Sequence, residues 1–219
     1  MSGPMVRAIL EGRKTQTRRV VKPLPPSDAE SVGANSYTGP EGPSYFWWKG
    51  VPTDGPVPYD GSVKYWPSGG SSCPYGKPGD WLWVRETWSP WADAATRAVL
   101  RSEDLAVYKA DYREGCPPLE VGGCATWRPS IFMPRKFSRI TLEITAVHVE
   151  RLQKITEEDA HAEGVEPRIA GQDSEDKIRT YRTGYVCLWN SLNAKRGLGW
   201  EKNQWVWVVS FRNAEEAKQ

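Results

Sequence analysis

The stretch SRITLEITAVHVERL, residues 138–152, decides the fold class. Ile140, Leu142, Ile144 and Ala146 recur at every second position, the period of a strand with one apolar face. Val147 and Val149 then carry the apolar side to odd positions, which predicts a bulge or bend, and strands that bend this way suit small barrels. His148 falls on the Ile140 face and is expected to be a satisfied core side chain. Downstream, QWVWVVSFR at 204–212 is apolar on both faces and reads as a central strand. Upstream, DWLWVRETW at 80–88 alternates, with Leu82, Val84 and Glu86 on one face and Trp81, Trp83 and Arg85 on the other. One strand face thus ends in a carboxylate.

Helix signals flank these strands. Ser2, Pro4 and Gly12 frame an N-terminal helix with Met5, Ala8 and Ile9 as its stripe, and GRKTQTRRVV at 12–21 reads as a turn into a strand. ITEEDAHAEGV at 155–165 is a short helix capped by Thr156 and closed by Gly164, on which the polar His161 is solvated. Ile178, Tyr181, Tyr185, Leu188 and Leu192 space a further helix that Lys195–Gly197 ends. Residues 23–79 and 89–137 hold most of the remaining turn formers without a sustained period and read as long irregular insertions, with one short helix near 93–100. The chain is therefore expected to be α+β: a single domain over 1–219, built as a small β-barrel with flanking helices and two insertions.

Composition narrows the function classes. With 39% hydrophobic residues, 26% charged and a mean hydropathy of -0.61, the chain fits neither an integral membrane protein nor a wholly disordered one. No run approaches the ~18 apolar residues of a membrane span, and the start MSGPMVRAILEGRK lacks an apolar leader with a cleavage site, so a cytoplasmic protein without a membrane partner is expected. Cys73, Cys116, Cys124 and Cys187 are then reduced. Their spacing, with His148 and His161 lacking an i, i+4 partner, matches no compact zinc pattern, so neither metal nor other cofactor is expected. A pI of about 8.3 falls below the ~9 of a strong nucleic-acid footprint. Charge is nonetheless uneven: residues 1–22 carry six Lys/Arg against Glu11 alone, and residues 155–177 carry eight acids against Arg168 and Lys177.

Helix, Gly12, Arg13, Lys14, Thr15, Gln16, Thr17, Arg18, Arg19: this order resembles the ASCH superfamily, small PUA-like barrel domains that begin with a helix followed by G-x-K-T-x-T-x-R. GKPGDWLWVRET at 76–87 is similar to the family's G-D-x-L-x-V strand, 140–165 to its long strand and short acidic helix, and WVWVVSFR at 205–212 to its closing strand. The inserted, tryptophan-rich version resembles the larger forms of phages and prophages. Within the superfamily, the best resemblance with known chemistry is to the short bacterial N4-acetylcytidine amidohydrolases. That resemblance implies Lys14 as proton acceptor, Thr17 as nucleophile and Glu163 as proton donor, with Arg19 matching a further arginine of the motif. Val20 stands where the short enzymes have Asp, a departure in this chain's motif.

The residue chemistry agrees with those roles. A hydroxyl attacks a carbonyl only if a base takes its proton, a lysine does so only in the neutral form that burial or neighbouring cations favour, and a carboxylic acid in a pocket can protonate a leaving nitrogen. Lys14 and Thr17 are three apart and would face opposite sides of a regular strand, so they converge only if Lys14 lies in the turn before it. Arg13, Arg19, Glu86 and Trp83 are candidates for substrate binding. Two other readings stay open: a non-catalytic module that holds a modified base or single-stranded RNA with a basic rim (Arg7, Arg13, Arg18, Arg19) and Trp83 or Trp88, and a ribonuclease, an activity that the family resemblance also implies.

Overall fold

A computed structural model describes residues 1–22, 73–90, 106–112, 127–169 and 178–214 and, as backbone, 31–35 and 45–49. In chain order the elements are helix α1 (Gly3–Leu10), strands β1 (Gln16–Val20), β2 (Ser31–Asn35), β3 (Tyr45–Lys49), β4 (Trp81–Trp83), β5 (Trp88–Pro90), β6 (Ala106–Tyr108) and β7 (Thr141–Arg151). Helix α2 (Glu157–Ala162), strands β8 (Arg168–Ile169) and β9 (Arg179–Thr180), helix α3 (Tyr181–Asn193) and strand β10 (Trp205–Asn213) complete them. A four-stranded sheet has the order β1-β10-β7-β4, and three two-stranded pairs accompany it: β2-β3, β5-β6 and β8-β9. The fold is thus mixed helix and strand, with a curled antiparallel half-barrel sheet rather than a closed barrel among the described residues. β10 lies inside the sheet and is buried along most of its length, as its two apolar faces require.

The chain divides into two compact units, one formed by Met1–Thr15, Trp81–Glu143 and Arg212–Gln219, the other by Gln16–Asp80 and Ile144–Phe211. In the first unit α1 buries Val6, Ala8 and Ile9. Its stripe is thus turned slightly from the expected one, since Val6 and not Met5 is buried. Pro4 occupies the first turn, where its missing N–H breaks no helical hydrogen bond, and Gly12 ends the turn at φ +71°. β4 pairs antiparallel with the first residues of β7, Leu82 opposite Leu142. The alternation read from residues 81–86 persists beyond the strand itself: Val84 and Glu86 are buried, Trp81 and Arg85 exposed.

In the second unit β1 pairs antiparallel with β10, Thr17 opposite Val209, Arg18 opposite Val208 and Val20 opposite Val206. Val206, Val208, Leu152, Ile155, Ala160, Val165, Tyr185 and Trp189 form one apolar core against which Val20 packs. That core requires close approach of α3, and Gly184 permits it: a Cβ there would overlap the Glu166 carbonyl oxygen. Thr156 caps α2 as expected, its hydroxyl accepting from the Asp159 N–H at 3.1 Å while the Thr156 N–H donates to Asp159 Oδ2 at 3.4 Å. Gly164 closes the turn at φ +77°.

Three expectations need correction. The segment 23–79 is not wholly irregular, since β2 and β3 pair residue for residue within it, from Ser31 opposite Lys49 to Asn35 opposite Tyr45. His148 is not a core residue; its side chain is 51% exposed. Burial in β7 follows even positions at Leu142 and Ile144 and odd ones at Val147 and Val149, so the phase change turns His148 outward. On α3 the buried line runs through Tyr185 and Trp189, while Leu192 is exposed and Ile178, exposed as well, lies ahead of the helix. The expected short helix near 93–100 and the cysteine-bearing 115–124 lie outside the described residues.

Candidate active site

Lys14 belongs to the first unit and lies in the link between the Gly12 turn and β1. It is only 5% exposed, whereas Thr15 beside it is exposed. Its N–H donates to the Ala8 carbonyl at 2.8 Å, tying the link back to α1. Arg13 is half-buried and ion-paired with Glu11 at 2.7 Å.

Thr17, Arg19 and Glu163 belong to the second unit. Strand alternation puts Thr17 with the exposed Arg19 on one face of β1, and Gln16, Arg18 and Val20 on the other, towards the Val206/Val208 core. An arginine is thereby driven into an apolar core, where it is tolerated only if its donors are met. They are. The Arg18 Nε and Nη2 donate to Glu150 Oε1 at 3.0 and 2.8 Å, and Nη1 donates to Gln16 Oε1 at 2.6 Å. Asp159 lies 3.1 Å from Nη2, and Glu163 3.5 Å from Nη1. Three carboxylates from β7, α2 and the residue that ends α2 therefore converge on one guanidinium whose side chain has no solvent exposure.

The electrostatics follow from that convergence. Burial alone would lower the Arg18 pKa, but Glu163 and Glu150 outweigh it and leave the pKa raised. Burial likewise pushes Glu150 up, and its interactions with His148 and Arg18 outweigh this, holding it below the ordinary carboxylate value. His148 Nε2 stands 3.9 Å from Glu150 Oε2, beyond hydrogen-bond distance. Tyr185, on the buried line of α3, has its phenol held well above the usual value by burial and by the nearby Glu163.

Glu86 and Trp83 belong to the first unit. Glu86 is fully buried and meets Arg139 in a bidentate pair, Nε to Oε1 and Nη2 to Oε2, both at 2.9 Å. Arg139 also donates to Asp111 at 2.8 and 2.7 Å and lies 4.0 Å over the Tyr108 ring. Burial lowers the Arg139 pKa, the two carboxylates raise it, and the carboxylates win. Trp83 carries two guanidinium groups over its ring, Arg85 at 4.6 Å and Arg135 at 5.7 Å. Of the basic rim and aromatics expected of a binding module, Arg18 is interior, Trp88 is buried against Phe137, and Arg7 donates to the Ala110 carbonyl at 2.9 Å.

Sequence reasoning missed Arg139, Asp111, Glu150 and Asp159. Two signals pointed towards them: Glu86 on an otherwise apolar strand face, and Arg18 in register with Val20, each demanding an oppositely charged partner inside the fold. Among the described residues no group of three or more His, Cys, Asp or Glu could hold a metal ion, and no helix is long and apolar enough to cross a membrane. No family model matches this chain, and no curated protein or solved structure matches it either.

Proposed function

We propose that the chain is an ASCH-type, PUA-like amidohydrolase that removes an acyl group from the exocyclic amine of N4-acylated cytidine or a related modified nucleoside. One observation carries the reading: Lys14, the motif lysine, is buried in the link ahead of β1 instead of lying in a solvated basic turn. Glu163 at the end of α2 is buried as well, 3.5 Å from the Arg18 guanidinium, and the motif resemblance gives it the proton-donor role. The order of the four resembling segments, from Lys14 to WVWVVSFR at 205–212, supplies the rest of the support.

In the proposed reaction the Thr17 hydroxyl oxygen attacks the acyl carbonyl carbon and Lys14 takes the hydroxyl proton. The tetrahedral intermediate collapses as the C–N bond breaks, and Glu163 protonates the departing exocyclic nitrogen to release cytidine. Water then hydrolyses the threonine ester, releasing the carboxylic acid and restoring Thr17. Arg19, exposed on the Thr17 face of β1, offers a cation to the substrate. The test is to incubate the purified protein with N4-acetylcytidine, before and after chelator treatment, and to follow products by chromatography. The expected result is cytidine and acetate in equal amounts in both samples; no cytidine from the untreated enzyme overturns the reading.

A further inference from the structure

The first unit carries a surface that the hydrolase reading does not use. Its residues 127–140 contain Arg128, Arg135, Lys136 and Arg139 and no acid. Within them the 3-10 turn Ser130–Phe132 is held by the next residue: Met133 is buried, and its sulfur accepts from the Glu86 N–H at 3.1 Å. The anchored methionine fixes the turn so that Ile131 and Phe132 are each 67% exposed. Arg85 ties this turn to β4, its Nη1 donating to the Ile131 carbonyl at 3.2 Å while its guanidinium lies over Trp83. Arg135 lies over the same ring, and Trp81, on the same strand face two residues away, is 58% exposed. Cross-strand from Trp81, Glu143 is spoken for by Arg212 at 2.8 Å, and Arg139 by Glu86 and Asp111.

We infer that this face, composed of Trp81, Arg85, Ile131, Phe132 and Arg135, binds single-stranded nucleic acid. Exposed rings set among guanidinium groups that pair with no carboxylate among the described residues match a ligand in which flat bases alternate with phosphates. Stacking on Trp83 pre-orients both arginines, so their donor forks meet phosphate oxygens with little further ordering. A bilayer would require a continuous apolar surface, whereas here two guanidinium groups lie over the Trp83 ring. The inference is independent of the hydrolase reading, because no residue of the face takes part in acyl transfer.

Fluorescence anisotropy with a labelled single-stranded RNA of about 16 nucleotides tests it on the full chain. Phe132→Ala and Trp81→Ala, both at exposed positions, are expected to weaken binding by about fivefold or more each without moving the melting temperature. Arg85→Gln with Arg135→Gln is expected to flatten the dependence of log Kd on log salt by about 1.4, about 0.7 for each phosphate that is no longer neutralised. Hydrolysis of free N4-acetylcytidine by these variants should equal that of the wild type, which separates this inference from the hydrolase reading. Unchanged RNA affinity in the two aromatic variants overturns it. So does equal binding of an RNA duplex, or binding to phosphatidylserine-containing vesicles with none to RNA.

Discussion

Arg18 and Arg139 each draw carboxylates around a guanidinium, but the two clusters differ in balance. Arg139 has two acids, Glu86 and Asp111, each engaged by both of its oxygens, and a tyrosine ring beneath it. Arg18 has three, Glu150, Asp159 and Glu163, with only Glu150 bonded at close range through two donors. The first is a matched staple joining the strand face of Glu86 to the segment before β7. The second is an arginine core with acid to spare, set where the residue proposed as the proton donor ends α2. Acids outnumber the arginine in both clusters, but at Arg139 every acid is hydrogen-bonded to it through both oxygens, whereas at Arg18 Asp159 and Glu163 are held by charge contact.

The largest effect expected from this contrast is that of losing the buried cation. Arg18→Met should destabilise the protein by about 3–5 kcal/mol in denaturant unfolding, because it leaves several acids without their shared guanidinium. A loss below about 1 kcal/mol breaks the claim that Arg18 organises the second unit. Next, removing one acid from each cluster should give unequal results. Glu86→Gln should cost about 2 kcal/mol, since a fully buried bidentate partner is lost. Glu150→Gln should cost less than about 1 kcal/mol, because Glu150 is partly solvated and Asp159 and Glu163 still face Arg18. Equal costs contradict the difference in balance.

The smallest effects are pH limbs. Glu150 is held below its ordinary value, so its contribution is present above the unfolded value of about 4.3 and is lost as pH falls through the lower folded one. Tyr185 is held above its ordinary value, so its contribution is complete below the unfolded value of about 10 and falls as pH rises towards the folded one. Melting temperature against pH should therefore lose part of its acid limb in Glu150→Gln and part of its alkaline limb in Tyr185→Phe. Parallel profiles for wild type and both variants count against the cluster's electrostatics.

The sequence was legible where one local rule acted alone. The double apolar face of β10 announced a central strand, the Thr156 cap and the Gly164 stop announced α2, and the alternation at 81–86 announced which side of that segment is buried. Legibility ended where two elements had to be known together. Nothing in SVGAN or YFWWK taken singly says that β2 and β3 pair. His148 was misplaced because its face depends on how the phase of β7 changes after Ile144, and Trp189 escaped because the line from Tyr185 turns one residue away from Leu188 and Leu192. For the candidate site, the motif resemblance singled out Lys14, Thr17 and Glu163 for the roles proposed above, and Glu163 is one of the acids around Arg18. The other two, Glu150 and Asp159, were not legible, since they come from elements more than a hundred residues away in the chain.

A mutant cycle on acyl transfer decides whether Lys14, Thr17 and Glu163 form one catalytic unit. The wild type, Lys14→Ala, Thr17→Ala, Glu163→Ala and the Lys14→Ala/Thr17→Ala double variant would be compared by kcat/KM on N4-acetylcytidine, with melting temperature as the control for folding. Residues that act as one unit are non-additive, so each single change should abolish turnover and the double should be little worse than the worse single. A folded Thr17→Ala enzyme that still releases cytidine at the wild-type rate would rule out the threonine nucleophile and with it the proposed reaction.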